Sequence, residues 1–158
     1  MIPITASPWN IGPYLTDMHF MASDNRNLLD VLKFELEFLE RGGYGRSSRE
    51  SWRAQFVFED SPTCMNFNSK DRKPCSECSL MQFVPENART EQTPCIHIPL
   101  SPSGETLESL YRTGTQQEIE EALGAWLRAT IQRLEAKRAN STDVRRQTVF
   151  RIDRSRAR

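Results

Sequence analysis

Apolar side chains recur with a helical period over residues 24–41. On a helical projection they cover an arc of about 220°, wider than a surface helix needs. Ser23 or Asp24 could cap the start of this helix, and Gly42 with Gly43 could end it in the left-handed conformation. We therefore expect a helix that is enclosed on more than one side.

A second helical pattern begins near Thr115. Thr115 and Glu118 have the spacing of a capping box, and an apolar stripe then follows to about Arg138. This helix is expected to pack against the first one, and a shorter helix is expected over residues 105–112. The side chains predicted to meet between the two long helices are Leu32, Leu36, Leu39, Leu123, Trp126 and Leu134.

One acidic residue interrupts the apolar face of the first helix. Glu35 falls beside Leu28 and Leu39 on the helical projection. A carboxylate in such surroundings needs a partner or a raised pKa. The sequence favours a salt bridge to an arginine at the edge of the core over a catalytic or ligand-binding carboxylate.

Between the two helices the pattern changes. Residues 52–58 alternate in a way that suggests a short strand, and residues 148–153 could form another if a sheet edge were available. Residues 60–104 hold six of the nine prolines and lack sustained periodicity. Something other than a large apolar core must order this loop-rich stretch.

All four cysteines lie in the same stretch, at Cys64, Cys75, Cys78 and Cys95. The tight turn of a C-x2-C pair lets two thiolates bind one ion, and four thiolates suit tetrahedral Zn²⁺ in a closed, structural site. Metal binding would supply ordering energy that the proline-rich segment lacks. His97 is the natural substitute ligand or hydrogen-bond partner of a ligand.

Other chemistry for the four cysteines stays open. They could hold an iron–sulfur cluster, which Met65, Phe67, Leu80 and Phe83 could shield from water. They could form two disulfides, which persist only outside a reducing cytosol, or remain free thiols. Zinc is the interpretation that the C-x2-C spacing favours most.

The net charge of zero hides an asymmetry. Residues 137–158 carry a charge of +6, so the rest of the chain carries −6. Arginines are also frequent in a glycine-rich loop at residues 41–53, and a guanidinium group binds carboxylate or phosphate in a bidentate manner. The candidate anion or partner contacts are Arg41, Arg46, Arg49, Arg53, Arg145, Arg146, Arg151 and Arg154.

The composition indicates one domain with two extensions. Residues 1–22 are expected to form an extended N-terminal arm, residues 23–140 a single domain that contains the metal-binding segment 60–100, and residues 141–158 a basic C-terminal tail. No apolar run approaches the roughly 20 residues that a membrane helix needs. The start of the chain lacks the basic region of a signal peptide, so we expect a cytoplasmic protein without a transmembrane segment.

These observations predict an α+β, mainly helical fold, in which two packed helices accompany a few short strands and a loop region stapled by a four-cysteine metal site. The common nucleotide-binding and hydrolase motifs are absent from the sequence and histidines are scarce, so we expect no catalysis. The predicted function is a small zinc-stabilised interaction protein, a non-catalytic subunit or adaptor whose partners are other protein subunits. The alternatives are an iron–sulfur electron-transfer or redox-sensing protein, and a nucleic-acid-binding protein that uses the basic tail and the 41–53 loop.

Overall fold

A computed structural model describes residues 24–45 and 56–156, with side chains as far as Ser141. This part of the chain is mainly helical. Its three α-helices are α1 (Leu28–Glu40), α2 (Leu107–Thr113) and α3 (Gln116–Arg156). Four short 3-10 helices lie between α1 and α2, at Cys75–Glu77, Ser79–Phe83, Glu86–Ala88 and Pro94–His97.

Several sequence predictions fall where the structure gives no description. The N-terminal arm at residues 1–22 lies outside the described residues, and so do Arg46, Arg49 and Arg53. The backbone of the basic tail is described to Arg156, without its side chains. The anion contacts proposed for Arg145, Arg146, Arg151 and Arg154 therefore stay predictions.

The first helix begins later than the sequence suggests. Asn27 caps α1, because its side-chain oxygen accepts a hydrogen bond from the Leu29 N–H at 3.0 Å. The prediction that Ser23 or Asp24 caps the helix is wrong, since α1 starts at Leu28, four residues after Asp24. The C-terminal prediction is confirmed: Gly42 follows the helix with φ of 74°, a conformation that glycine adopts without steric cost.

Helix α1 packs against α3, as the sequence predicts. Leu32, Leu39, Leu123 and Trp126 are buried, while Leu36 and Leu134 pack against the same core from partly buried positions. The full apolar arc of α1 is not enclosed, however, because Phe34 is 51% exposed. The helix buries its α3-facing side and leaves this ring in solvent.

The expected strand at residues 52–58 is not found over its described part, residues 56–58, which form a turn. The backbone reverses at Phe58, a buried residue with φ of 65°. Tyrosine hydroxyl groups replace a neighbouring strand here: Tyr111 accepts from the Val57 N–H at 2.8 Å and Tyr44 from the Phe58 N–H at 3.0 Å. The second expected strand, at residues 148–153, is instead part of α3.

No strand occurs in residues 24–45 and 56–156, where the extended pairing is limited to an isolated bridge between Pro99 and Thr106. A strand at the C-terminus would need a sheet edge to pair with, and this part of the chain offers none. The helical backbone of α3 simply continues through it. None of the helices described is both long enough and apolar enough to span a bilayer.

Reciprocal caps mark the starts of α2 and α3. The predicted capping box of α3 is confirmed: the Thr115 N–H donates to Glu118 Oε2 at 2.7 Å, and the Glu118 N–H donates to Thr115 Oγ1 at 3.3 Å. Thr106 and Ser109 form a second capping box at α2. The cap at Thr115 lies at the connection between α2 and α3. These two helices cover one side of the cysteine-bearing segment, residues 56–104.

The core joins the helices to that segment. Trp126 on α3 meets the rings of Phe58 and Phe83 edge to face, with centroid separations of 6.3 and 5.2 Å. Leu80, Met81 and other apolar side chains of the segment enter the same cluster as the α1 and α3 leucines. The loop-rich stretch therefore lies on the helices and is not a separate appendage.

Candidate metal centre

All four cysteines line one small cavity of about 30 Å³. Cys64 comes from the loop after Phe58. Cys75 begins the first 3-10 turn, Cys78 follows that turn, and Cys95 belongs to the fourth. The remaining lining residues are mostly apolar: Phe58, Met65, Asn66, Leu80, Met81 and Pro94. The fold thus brings together thiols that are up to 31 positions apart in the sequence.

Short turns set the direction of each cysteine. The Cys78 N–H donates to the Cys75 carbonyl at 3.0 Å, which closes the C-x2-C turn, and the Met81 N–H donates to the Cys78 carbonyl at 3.0 Å. The Cys64 N–H donates to the Ser61 carbonyl at 2.9 Å. Because each cysteine lies at or beside a turn that reverses the chain, the thiols can face one point.

Burial governs the ionisation of these thiols. It raises the pKa of Cys75, Cys78 and Cys95, and in each case the charge of neighbouring cysteines raises the pKa further. These three thiols are therefore neutral at pH 7 when no ion is bound, and a neutral thiol behaves as a small apolar group. A metal ion that binds here must displace thiol protons.

A shared cavity is not yet a coordination sphere. Across the described ranges, no group of three or more histidine, cysteine, aspartate or glutamate side chains is placed to hold an ion. Neutral thiols have no electrostatic reason to converge, whereas thiolates around a dication do. Four thiols are nevertheless a donor set that suits Zn²⁺.

An ion pair before α1 braces two of the cysteine turns. Arg26 donates to Asp24 through Nε at 2.8 Å and Nη2 at 2.7 Å, and its Nη1 donates to the Thr63 carbonyl at 2.7 Å. Asp24 Oδ2 accepts from the Ser79 hydroxyl at 3.2 Å. The pair therefore holds the residue before Cys64 and the residue after Cys78.

The brace also has an electrostatic effect. The hydrogen bond from Arg26 lowers the pKa of Asp24 to about 2, and Asp24 in turn raises the pKa of Arg26. The Arg26 guanidinium lies close enough to Cys64 and Cys78 for their charges to influence its pKa. Since four thiolates and one Zn²⁺ carry a net charge of −2, a nearby cation would stabilise the bound state.

Glu35 has an unexpected set of partners. It is 1% exposed, and its carboxylate accepts hydrogen bonds from the hydroxyls of Tyr44, Ser61 and Thr63. In the described part of the chain, hydroxyl groups thus take the place of the expected arginine. Burial and the adjacent Glu35 charge raise the pKa of Tyr44, so its hydroxyl stays protonated and donates.

His97 and Arg41, two of the predicted site residues, lie elsewhere. His97 Nδ1 is 3.5 Å from Glu108 Oε2, and the residue does not line the cysteine cavity. Arg41 is exposed and pairs with Glu37 at 2.5 Å. Neither residue contributes to the cavity as described.

Comparisons of the chain with protein-family models, with curated proteins and with solved structures find no match. The chemistry of the site is therefore inferred from its own residues. Thiols are ligands of both zinc and iron–sulfur clusters. The Arg26–Asp24 ion pair and the hydroxyl cluster around Glu35 hold the turns that carry the cysteines.

Proposed function

We propose that the chain binds one Zn²⁺ through Cys64, Cys75, Cys78 and Cys95, and that the segment so ordered makes it a non-catalytic component of a protein assembly. The observation that carries the proposal is the single cavity that all four thiols line. Four thiolates give zinc a closed tetrahedral shell, which favours a structural role over catalysis.

The size of the cavity favours one ion over a cluster. A volume of 30 Å³ has room for about two water-sized spheres. An eight-atom iron–sulfur cluster would have to push Met65, Leu80 or Met81 aside. The apolar lining nevertheless suits a cluster that needs protection from water, so this alternative keeps one specific observation in its favour.

Helix α3 supplies a surface for a partner. Among the α3 side chains that the structure describes, which end at Ser141, Leu134 is the last to pack against the core, and the helical backbone continues to Arg156. The remaining 22 residues extend over about 33 Å at 1.5 Å per residue. Because helices in proteins are stabilised mainly by packing, this length of helix supports contact with another chain.

The sequence of this helical extension indicates what such a partner would look like. It is rich in arginine and also contains Val149, Phe150 and Ile152. An acidic surface with apolar pockets would match both features. In the described body, exposed Phe34, Phe56 and Phe67 offer further apolar contact points.

Metal analysis of protein purified without oxygen tests the site. We expect one zinc per chain and no visible colour. Iron with sulfide and a brown colour would instead establish the cluster, and a metal-free protein with disulfides or free thiols would overturn metal binding altogether. Cys75→Ser and Cys78→Ser should each lose the metal, while Ser76→Ala, between them, should retain it.

Removal of residues 141–158 tests the interaction role. The tagged full chain should migrate in cell extract as part of a complex larger than 18.3 kDa, and the shortened chain should migrate alone. The isolated shortened chain should keep its melting temperature. A lower melting temperature would show that the extension folds back onto the acidic body, and unchanged migration would refute the proposed role.

A further inference from the structure

The cysteine cavity shares a wall with a second, more polar space. Cys64, Cys75 and Cys95 also line a cleft of about 290 Å³, whereas Cys78 lines only the apolar cavity. Polar side chains make up most of the rest of the cleft, among them Glu59, Asp60, Asn66, Arg72, Gln92 and Thr93. Three of the four proposed ligands therefore separate an apolar interior from a polar opening.

The two sides of this wall differ in what they let through. Phe58, Leu80 and Met81 line the apolar side, and a hydrated dication does not cross an apolar layer because desolvation of a charge is costly. The cleft side offers carboxylate, amide and hydroxyl oxygens, which can replace water around a cation. An ion bound for the thiols has a polar path only on this side.

We propose that the cleft is the route by which a divalent cation enters and leaves the four-cysteine site, with Glu59 and Asp60 attracting the ion and Arg72 opposing it. This inference rests on the proposed metal site. In the balanced step, Zn²⁺ and four thiols give one tetrathiolate complex of charge −2 and four protons, and the protons pass to water in the same cleft.

Two side chains of opposite charge line the cleft. Glu59 and Arg72 share it with Cys75, one of the proposed ligands. Glu59 and Arg72 are both exposed, and substitution of either leaves the core intact. Because their charges are opposite, substitutions at these two positions should have opposite effects on the rate of metal uptake.

An entry residue differs from a ligand in what its loss changes. The loaded site would carry a charge of −2, so a carboxylate beside it does not stabilise the bound ion. Glu59→Gln should therefore slow metal uptake without weakening equilibrium affinity. Loss of a true ligand would weaken the affinity itself.

Uptake of Co²⁺, followed by the visible absorption of its thiolate complex, measures the effect. At low ionic strength Glu59→Gln should slow uptake and Arg72→Gln should accelerate it, each by roughly two- to fivefold. The differences should vanish near 1 M salt, where charges are screened over about 3 Å. Glu121→Gln on the exposed face of α3, which does not line the cleft, is the control and should leave the rate unchanged.

A steric variant tests the same route independently of charge. Gln92 lines the cleft and is exposed, so Gln92→Trp should narrow the cleft and slow both uptake and chelator-driven release by the same factor. Thr90→Trp adds equal bulk at an exposed position outside the cleft and should change neither rate.

The outcomes separate the two proposals. If the wild-type chain takes up no Co²⁺, the metal site itself is refuted. If it takes up one Co²⁺ at a rate indifferent to Glu59, Arg72 and Gln92, the site stands and the entry route is refuted. If Glu59→Gln lowers the equilibrium affinity for Co²⁺, Glu59 acts as a ligand, and its entry role is likewise refuted.

Discussion

The α1–α3 pair and the cysteine-bearing segment, residues 56–104, are ordered by different physical means. The helices bury leucines along a continuous interface and satisfy their backbone groups internally. The segment consists of short 3-10 turns and irregular loops. The difference shows that a small chain can complete its core with a stretch that has little regular structure of its own.

Specific polar contacts hold the segment in addition to its apolar side chains in the shared core. Tyr44 and Tyr111 accept from its backbone, Arg26 donates to it, and Glu35 binds two of its hydroxyls. Such hydrogen bonds each contribute only about 1 kcal/mol. Loss of any one of these contacts should therefore destabilise the chain less than loss of the proposed metal would destabilise the segment.

Metal removal should have the largest effect on this contrast. Structural zinc sites contribute on the order of 10 kcal/mol at pH 7. A chelator, or Cys78→Ser, should make residues 60–104 sensitive to proteases while most of the helical circular dichroism is retained. Proteolysis followed by mass spectrometry locates the cuts, and equal cutting of α3 and the segment would contradict the contrast.

Trp126→Ala should damage both regions at once. The indole is 8% exposed and bridges α3 to the rings of Phe58 and Phe83, so its loss should lower the free energy of unfolding by about 3–5 kcal/mol. Urea unfolding gives the value. Arg128→Ala is the control on the same helix: its exposed pair with Glu40 should be worth less than about 1 kcal/mol. A near-zero change for Trp126→Ala would sink the bridging role.

Tyr44→Phe should destabilise by about 1–3 kcal/mol, since it strips Glu35 of a donor and the Phe58 N–H of its acceptor, both in buried surroundings. Tyr111→Phe removes only the acceptor of the Val57 N–H, in a hydrogen bond whose tyrosine is itself partly exposed, and should cost less. Unfolding midpoints of the two variants test the order, and a larger loss for Tyr111→Phe would reverse our ranking.

Asp24→Asn should have the smallest effect, about 1 kcal/mol at pH 7, because Arg26 is partly exposed and solvent screens the pair. The folded-state pKa of Asp24, about 2, lies below its usual 3.8. The contribution is therefore complete above about pH 5 and lost as pH falls from about 4 to 2.

The pH dependence of the unfolding free energy should be measured on metal-free protein, because acid also displaces metal from thiols. Wild type and Asp24→Asn should differ in unfolding free energy at pH 7 and converge near pH 2. Asp30→Asn, in the exposed first turn of α1, should show a smaller difference at neutral pH. A gap that widens in acid would be inconsistent with the Arg26–Asp24 brace.

Local patterns predicted the features that local physics controls. The capping box at Thr115, the glycine end of α1 and the pairing of the two helices follow from short-range spacing and apolar periodicity. The spacing of the four cysteines predicts that they share a metal, which stays a prediction; the structure shows that they line one cavity.

Local sequence patterns do not predict polar contacts between residues that are far apart in the chain. Arg26 meets Thr63 across 37 positions and Asp24 meets Ser79 across 55, and neither pair has a periodic signature. The strand expected at residues 52–58 is missing from its described part, residues 56–58, for the same reason. Its alternation is real, but the hydroxyls of Tyr44 and Tyr111, distant in sequence, satisfy the backbone that a strand would have paired.

The hydroxyl cluster around Glu35 couples the two regions to each other. The carboxylate belongs to the middle of α1, yet Ser61 and Thr63 belong to the segment that leads into Cys64. If that segment opens, a buried charge on α1 loses two donors, and the central turn of the helix becomes easier to open as well. Amide hydrogen exchange at Glu35 and Leu36 should therefore report on events at the cysteines, although neither residue touches the cavity they line.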